Sequence, residues 1–105
     1  MRTFPKELST FRIMVKERGS RLRQLPFAEL KGLADKPLEH VAVESRKATI
    51  GTIVLQLPSG GIQVVLQGLM EHRFMPGKSV ALDGFYKHPD ESVSEMKPEE
   101  FWNFD

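Results

Sequence analysis

Hydrophobic and polar residues alternate along two runs in the middle of the chain, and four turn-forming residues separate these runs. The stretch Ala48–Leu69 reads ATIGTIVLQLPSGGIQVVLQGL, with Pro58-Ser59-Gly60-Gly61 between the runs. Gly, Ser and Pro between two β-rich runs are typical of a hairpin turn. The pattern therefore predicts an antiparallel hairpin around which the rest of the chain is organised.

A two-residue loop at Ser59-Gly60 sets the predicted register, with Leu57 opposite Ile62 and Gly51 opposite Gly68. Because side chains alternate along a strand, six large apolar residues then share one face, which we expect to be the core. These residues are Ile53, Leu55, Leu57, Ile62, Val64 and Leu66.

Gly51 and Gly68 would lie side by side on this predicted core face and leave a gap in it. The gap is a candidate binding pocket for a ligand. A bulge, a bend or a closely packed helix is the favoured alternative, because isolated glycines in strands usually mark such features.

Apolar residues at helical spacing predict a helix near residues 4–18 that lies over the sheet. They are Phe4, Leu8, Phe11 and Val15. Gly19-Ser20 is expected to end this helix, although the basic segment Arg21–Leu25 could also continue it. A second helix is predicted over Pro26–Ala34.

Further alternating segments predict a first strand at Leu38–Ser45, another at Lys78–Lys87 and a short edge strand at Val93–Met96. The order predicts one α+β domain over residues 1–105. Two N-terminal helices would pack on a four- or five-stranded antiparallel meander sheet, and a short helical turn would end the chain. The alternative is a small, half-open β-barrel of the OB or SH3-like kind with N-terminal helices.

The composition excludes several classes of chemistry. The 105 residues include no Cys, which excludes disulfide scaffolds, thiol nucleophiles and Cys-ligated metals. His40, His72 and His88 lack metal-ligand spacing. Asp83 is the best candidate for a catalytic acid, and a solvent-facing or capping role is favoured for it.

No apolar run is long enough to span a membrane, and the segment MRTFPKELSTF has charges where a signal peptide needs apolar residues. The sequence therefore predicts a cytoplasmic protein that does not bind membranes.

The charges are distributed unevenly although the net charge is only +1. Residues 1–36 contain nine Lys or Arg against four acids, whereas residues 88–105 contain six acids against one Lys. Arg12, Arg21 and Arg23 are therefore candidate contacts to nucleic acid phosphates. Attraction between the two ends, within one chain or across a dimer, is the favoured alternative.

Trp102 lies in the acidic, aromatic C-terminal segment EEFWNFD. Such a segment resembles a short motif that docks in the groove of a partner. The favoured alternative is that its aromatic residues close the core or a dimer interface.

These patterns favour a small, non-catalytic binding or interaction module that forms a homodimer or binds a protein partner. The main alternative is a module that binds single-stranded nucleic acid, with Phe74, Phe85 and Tyr86 as stacking candidates. An enzyme that uses Asp83 or a histidine is a third, less favoured interpretation.

We predict that the fold needs no metal or other cofactor. The melting temperature with a chelator should equal that without it, because anything that binds only the folded state shifts this temperature. A lower melting temperature on chelation would reveal a metal site among the histidines and acids.

Overall fold

The computed structural model describes residues 6–35, 38–44, 46–72 and 77–104. The helices are α1 (Lys6–Arg23) and α2 (Phe27–Lys31), with 3-10 helices at Gly32–Asp35 and Pro98–Phe104. The strands are β1 (Glu39–Val43), β2 (Arg46–Gln56), β3 (Ile62–Glu71), β4 (Lys78–Lys87) and β5 (Val93–Glu95). Phe4, where the first helix was predicted to begin, lies outside the described residues.

Each strand pairs with its neighbours in sequence, in the order β1-β2-β3-β4-β5, and every pairing is antiparallel. The sheet is open, with β1 and β5 at its two edges. A helix followed by an open meander sheet is an α+β fold, so the predicted fold class is confirmed. The barrel alternative is not the architecture observed.

The turn between β2 and β3 contains three residues rather than two, so the predicted register is wrong by one residue. The N–H of Gly60 donates to the carbonyl of Leu57 at 3.0 Å, and the N–H of Leu57 donates to the carbonyl of Gly61 at 2.9 Å. Pro58 suits the second position of such a turn, and Gly60 has a φ of 94°, which glycine adopts without strain. A two-residue loop would commonly require positive φ at Ser59 as well.

The corrected register changes which residues of β2 face the helices. Ile50 pairs with Gly68, and Gly51 pairs with Gln67, so the two glycines lie on opposite faces of the sheet. We call the side that packs against α1 and α2 the helix face and the other side the outer face. Leu55 lies on the outer face with 43% of its surface exposed, which corrects its assignment to the core.

The other expected core residues divide between the two faces. Ile53 is half-buried on the outer face, and Leu57, in the turn, is half-buried as well. Ile62, Val64 and Leu66 are buried on the helix face. Only the β3 half of the predicted apolar set therefore belongs to the core.

Helix α1 continues beyond its predicted end at Gly19-Ser20 to Arg23. A Cβ atom at Gly19 would lie 1.8 Å from Oδ2 of Asp83 in β4. Gly19 therefore allows the helix to approach the sheet and does not terminate it. The alternative in which the basic segment continues the helix is the one observed as far as Arg23.

Phe11 and Val15 of α1 are almost completely buried on the helix face. They pack over Gly68, where a Cβ atom would lie 2.6 Å from Cζ of Phe11 and 2.9 Å from Cγ2 of Val15. The predicted pair of glycines is therefore not present on this face, and helix α1 fills the space over Gly68 alone. A second buried cluster consists of Leu30, Ile62, Val64 and Phe85.

The remaining elements differ from the predictions at their ends. Helix α2 follows Pro26 and changes to a 3-10 helix at Gly32, so the predicted second helix is only partly α-helical. Strands β1 and β5 occupy the predicted positions but are slightly shorter. The C-terminal turn is a 3-10 helix at Pro98–Phe104.

Gly68→Ala should lower the free energy of unfolding by roughly 1–3 kcal/mol, because the new methyl group overpacks the core under Phe11. Gly32→Ala is the matched control, since nothing lies within 4 Å of the position that its methyl group would take and φ is −76°. This change should be neutral or stabilise by about 0.4–1 kcal/mol. Urea unfolding measures both variants, and equal stabilities would contradict the close packing at Gly68.

Candidate functional site

Arg23, at the end of α1, joins the helix to strands β4 and β5. Its guanidinium donates to both carboxylate oxygens of Asp83, at 2.8 and 3.1 Å, and to both of Glu95, at 2.8 and 2.6 Å. It also donates to the carbonyl of Gly84 at 3.1 Å and lies 4.7 Å from the centre of the Phe85 ring. Arg23 is therefore engaged within the chain rather than available for phosphates.

The contact between Arg23 and Glu95 shifts the pKa of each of these two residues in the direction that favours its charged form. The hydrogen bonds from Arg23 hold the pKa of Glu95 below its usual range. The hydrogen bonds to Glu95 and to Asp83 raise the pKa of Arg23. Glu95 belongs to the acidic end of the chain, so this contact is one case of attraction between the two ends.

The three candidate arginines do not form one surface. Arg12 is exposed on α1 and interacts with another residue of the chain. Arg21 is also exposed, and its side chain makes no hydrogen bond or ion pair with any residue that the structure describes. Arg23 is bound to carboxylates. The charge of Arg21, in contrast, is not compensated by any of the described residues.

A groove of about 310 Å³ lies between α1 and the helix face of the sheet. We call it the α1 groove; it is lined by Arg18, Arg21, Leu22, Glu39, Ile50, Thr52 and Leu66. Arg18 is held by Glu39 of β1, with Nε and Nη2 donating to its carboxylate at 2.7 and 2.6 Å. This pairing raises the pKa of Arg18.

The α1 groove could not be recognised in the sequence. Arg18 and Glu39 are far apart along the chain, so no local motif signals their contact. Leu22 continues the apolar spacing of Phe11 and Val15, but Gly19 between them is typical of a helix end, so the sequence does not assign Leu22 to the same helix.

The outer face carries both polar and apolar side chains, and it has more apolar ones than a solvated sheet face usually has. Its half-buried or exposed apolar side chains are interspersed with Thr49, Gln63 and Gln67 in the observed register, and we call this set the outer apolar patch. It comprises Leu38, Ile53, Leu55, Leu69, Val80 and Leu82. Gly51 lies under this surface, where a Cβ atom would be 2.7 Å from Cδ2 of Leu38, so a leucine occupies the space beside it.

The C-terminal 3-10 helix covers another part of the outer face. Gln67 donates to the carbonyl of Phe104 at 2.5 Å, and the hydroxyl of Tyr86 donates to the carboxylate of Glu100. A Cβ atom at Gly84 would contact Phe101. Trp102 is 78% exposed, so it does not close the core of this chain.

The residues considered for catalysis are dispersed and bonded individually. Asp83 binds Arg23, whereas His72 lies 2.9 Å from the hydroxyl of Ser79 and His88 lies 2.9 Å from that of Ser94. Within the described residues, no three His, Asp or Glu side chains are grouped as a metal site would require. This part of the structure presents no arrangement from which we derive a reaction.

The aromatic residues considered for base stacking are also engaged. Phe85 is fully buried, and the hydroxyl of Tyr86 is bonded to Glu100. Phe74 and the neighbouring Arg73 lie outside the described residues. Stacking of bases requires exposed aromatic rings, so Phe85 is unsuited to it in this conformation.

No protein family matches the chain, and neither a curated protein nor a solved structure shows significant similarity to it. None of the helices described has both the length and the apolar character needed to cross a membrane.

Glu95→Gln should destabilise the protein at neutral pH by at most about 1 kcal/mol, because Glu95 is largely exposed and water screens its ion pair. The folded-state pKa of Glu95 is lowered, so its stabilisation is present above the unfolded-state pKa of about 4.3. The stabilisation is lost as pH falls through the lower, folded-state pKa. The difference in unfolding free energy between the original protein and the variant should therefore decrease as the solution becomes acidic.

Urea unfolding at several pH values measures this difference. Glu29→Gln is the control, since Glu29 is exposed and has no ion pair to another described residue. A pH-independent difference for Glu95→Gln would contradict the role of the Arg23 ion pair.

Proposed function

We propose that this chain is a small, non-catalytic binding module that self-associates through the outer apolar patch and Trp102. The observation that supports the proposal is the apolar character of a sheet face that no described helix fully covers. Leu55 is 43%, Leu38 56% and Trp102 78% exposed on this side. We also infer a cytoplasmic location, with which a chain without cysteine is compatible.

The physical reason for self-association is the free-energy cost of leaving the outer apolar patch in contact with water. An antiparallel sheet with one solvated face usually carries polar residues on that face. Contiguous apolar surfaces on soluble proteins commonly mark interaction sites. A sheet of five strands has roughly 600 Å² on one face, and the C-terminal 3-10 helix covers part of it, so the patch supplies only part of the ~800 Å² per partner of a standard interface and Trp102 adds to it.

The distribution of charge around the patch favours a second copy as the partner. One end of the outer face carries Lys47 and Lys78 on either side of Glu71, and the C-terminal helix near the other end carries Glu99 and Glu100. In a two-fold arrangement with antiparallel sheets, the basic end of each copy meets the acidic helix of the other. Such complementarity steers association and favours one orientation.

We expect the protein to be a dimer by sedimentation equilibrium, and Leu55→Glu to convert it to a monomer, because a charge would be buried in the interface. Ile13→Glu is the matched control: Ile13 is also an exposed apolar residue, at 59%, but it lies on α1. This variant should remain a dimer. Circular dichroism confirms that both variants are folded.

The single tryptophan provides a second measurement, since Trp102 is the only one in the chain. Its fluorescence emission should move to longer wavelength on dilution as the dimer dissociates and water reaches the ring. A monomer at every concentration, or a Leu55→Glu variant that dimerises normally, would refute the proposal.

A further inference from the structure

The α1 groove combines a buried apolar floor with a guanidinium at its rim that has no partner among the described residues. Ile50 and Leu66, which form the floor, are only 3% and 2% exposed, and Leu22 is half-buried above them. Small-molecule sites have this construction, with an apolar lining and a few polar groups that orient the ligand. The volume of about 310 Å³ lies at the lower end of the range for such sites.

The two arginines of the groove differ in their electrostatic state. Arg18 is compensated by the two hydrogen bonds to Glu39, and its Nη1 lies 3.5 Å from the carbonyl of Met14. Arg21 is exposed, and its side chain has no hydrogen bond or ion pair with another described residue. Within the described part of the chain, the groove therefore presents one uncompensated guanidinium above an apolar floor.

We propose that the α1 groove binds an amphipathic monocarboxylate with a short, unbranched apolar chain. The carboxylate accepts two hydrogen bonds from the guanidinium of Arg21, a geometry in which arginine and carboxylate match. The apolar chain lies on Ile50 and Leu66, and Arg18 stays paired with Glu39. At roughly 30 Å³ for a water-sized group, the groove holds on the order of ten heavy atoms, which corresponds to octanoate.

This site is independent of the proposed self-association, because the groove lies on the helix face and the outer apolar patch lies on the opposite face. A failure of one proposal leaves the other standing, since the two are tested by different ligands and different variants.

The test is titration of the full chain with octanoate at neutral pH and low salt, followed by backbone amide shifts in NMR spectra. We expect saturable shifts at residues of the groove. Acetate, which has the charge without the chain, and 1-octanol, which has the chain without the charge, should both bind at least tenfold more weakly. Inorganic phosphate should leave the groove signals unchanged.

Three variants locate the ligand. Arg21→Gln should reduce octanoate affinity by about tenfold or more, as the loss of charge-assisted hydrogen bonds implies. Thr52→Phe should abolish binding by filling the groove while the core residues stay in place. Lys6→Gln removes an exposed cation from the same helix outside the groove and should bind octanoate normally.

Each contrary result overturns the proposal. Octanoate shifts that do not saturate, equal binding of acetate, 1-octanol or phosphate, or normal affinity in Arg21→Gln would each show that the groove does not recognise an amphipathic carboxylate. Because Arg21 is exposed, its substitution should leave the fold intact, and the unchanged NMR spectrum of the free variant verifies this.

Discussion

A turn of three residues, Pro58, Ser59 and Gly60, determines which side chains of the sheet meet the helices and which meet water. Side chains alternate with a period of two, so a change of one residue in the turn would exchange the faces of a whole strand. With the observed turn, Gly68 faces α1 and accommodates Phe11. The close contact of helix and sheet, the groove beside it and the open outer face all depend on this choice.

The types and order of the elements could be predicted because their signals are local. Alternation identified the strands, and helical spacing identified most of α1. The register could not be predicted, since PSGG fits a loop of two or three residues and both faces of β2 are apolar. Ile53 and Leu55 lie on one face of β2, and Ile50 and Val54 lie on the other. Burial of apolar residues therefore does not discriminate between a loop of two residues and a loop of three.

The candidate site was less predictable because its contacts join distant parts of the chain. Gly19 has the local character of a helix end, and only the nearby carboxylate of Asp83 reveals its packing role. Arg23 has the sequence context of a phosphate contact, but two acids from later strands bind it. The unequal charges of the two ends did predict an attraction, and the Arg23–Glu95 pair is consistent with it.

The order of elements has a consequence for how the chain folds. The strands pair with their sequence neighbours, so the sheet can assemble through short loops at low entropic cost. Helix α1 is synthesised before the strands. Its residue Arg23 contacts Asp83, which lies 60 positions further along the sequence, and Glu95, which lies 72 positions further. The ion pairs that hold the end of α1 to the sheet can therefore form only after β4 and β5 have been synthesised, whereas Phe11 and Val15 also pack on β2 and β3, which are made earlier. The apolar contacts of α1 thus need less of the chain than the ion pairs of Arg23, which require all five strands.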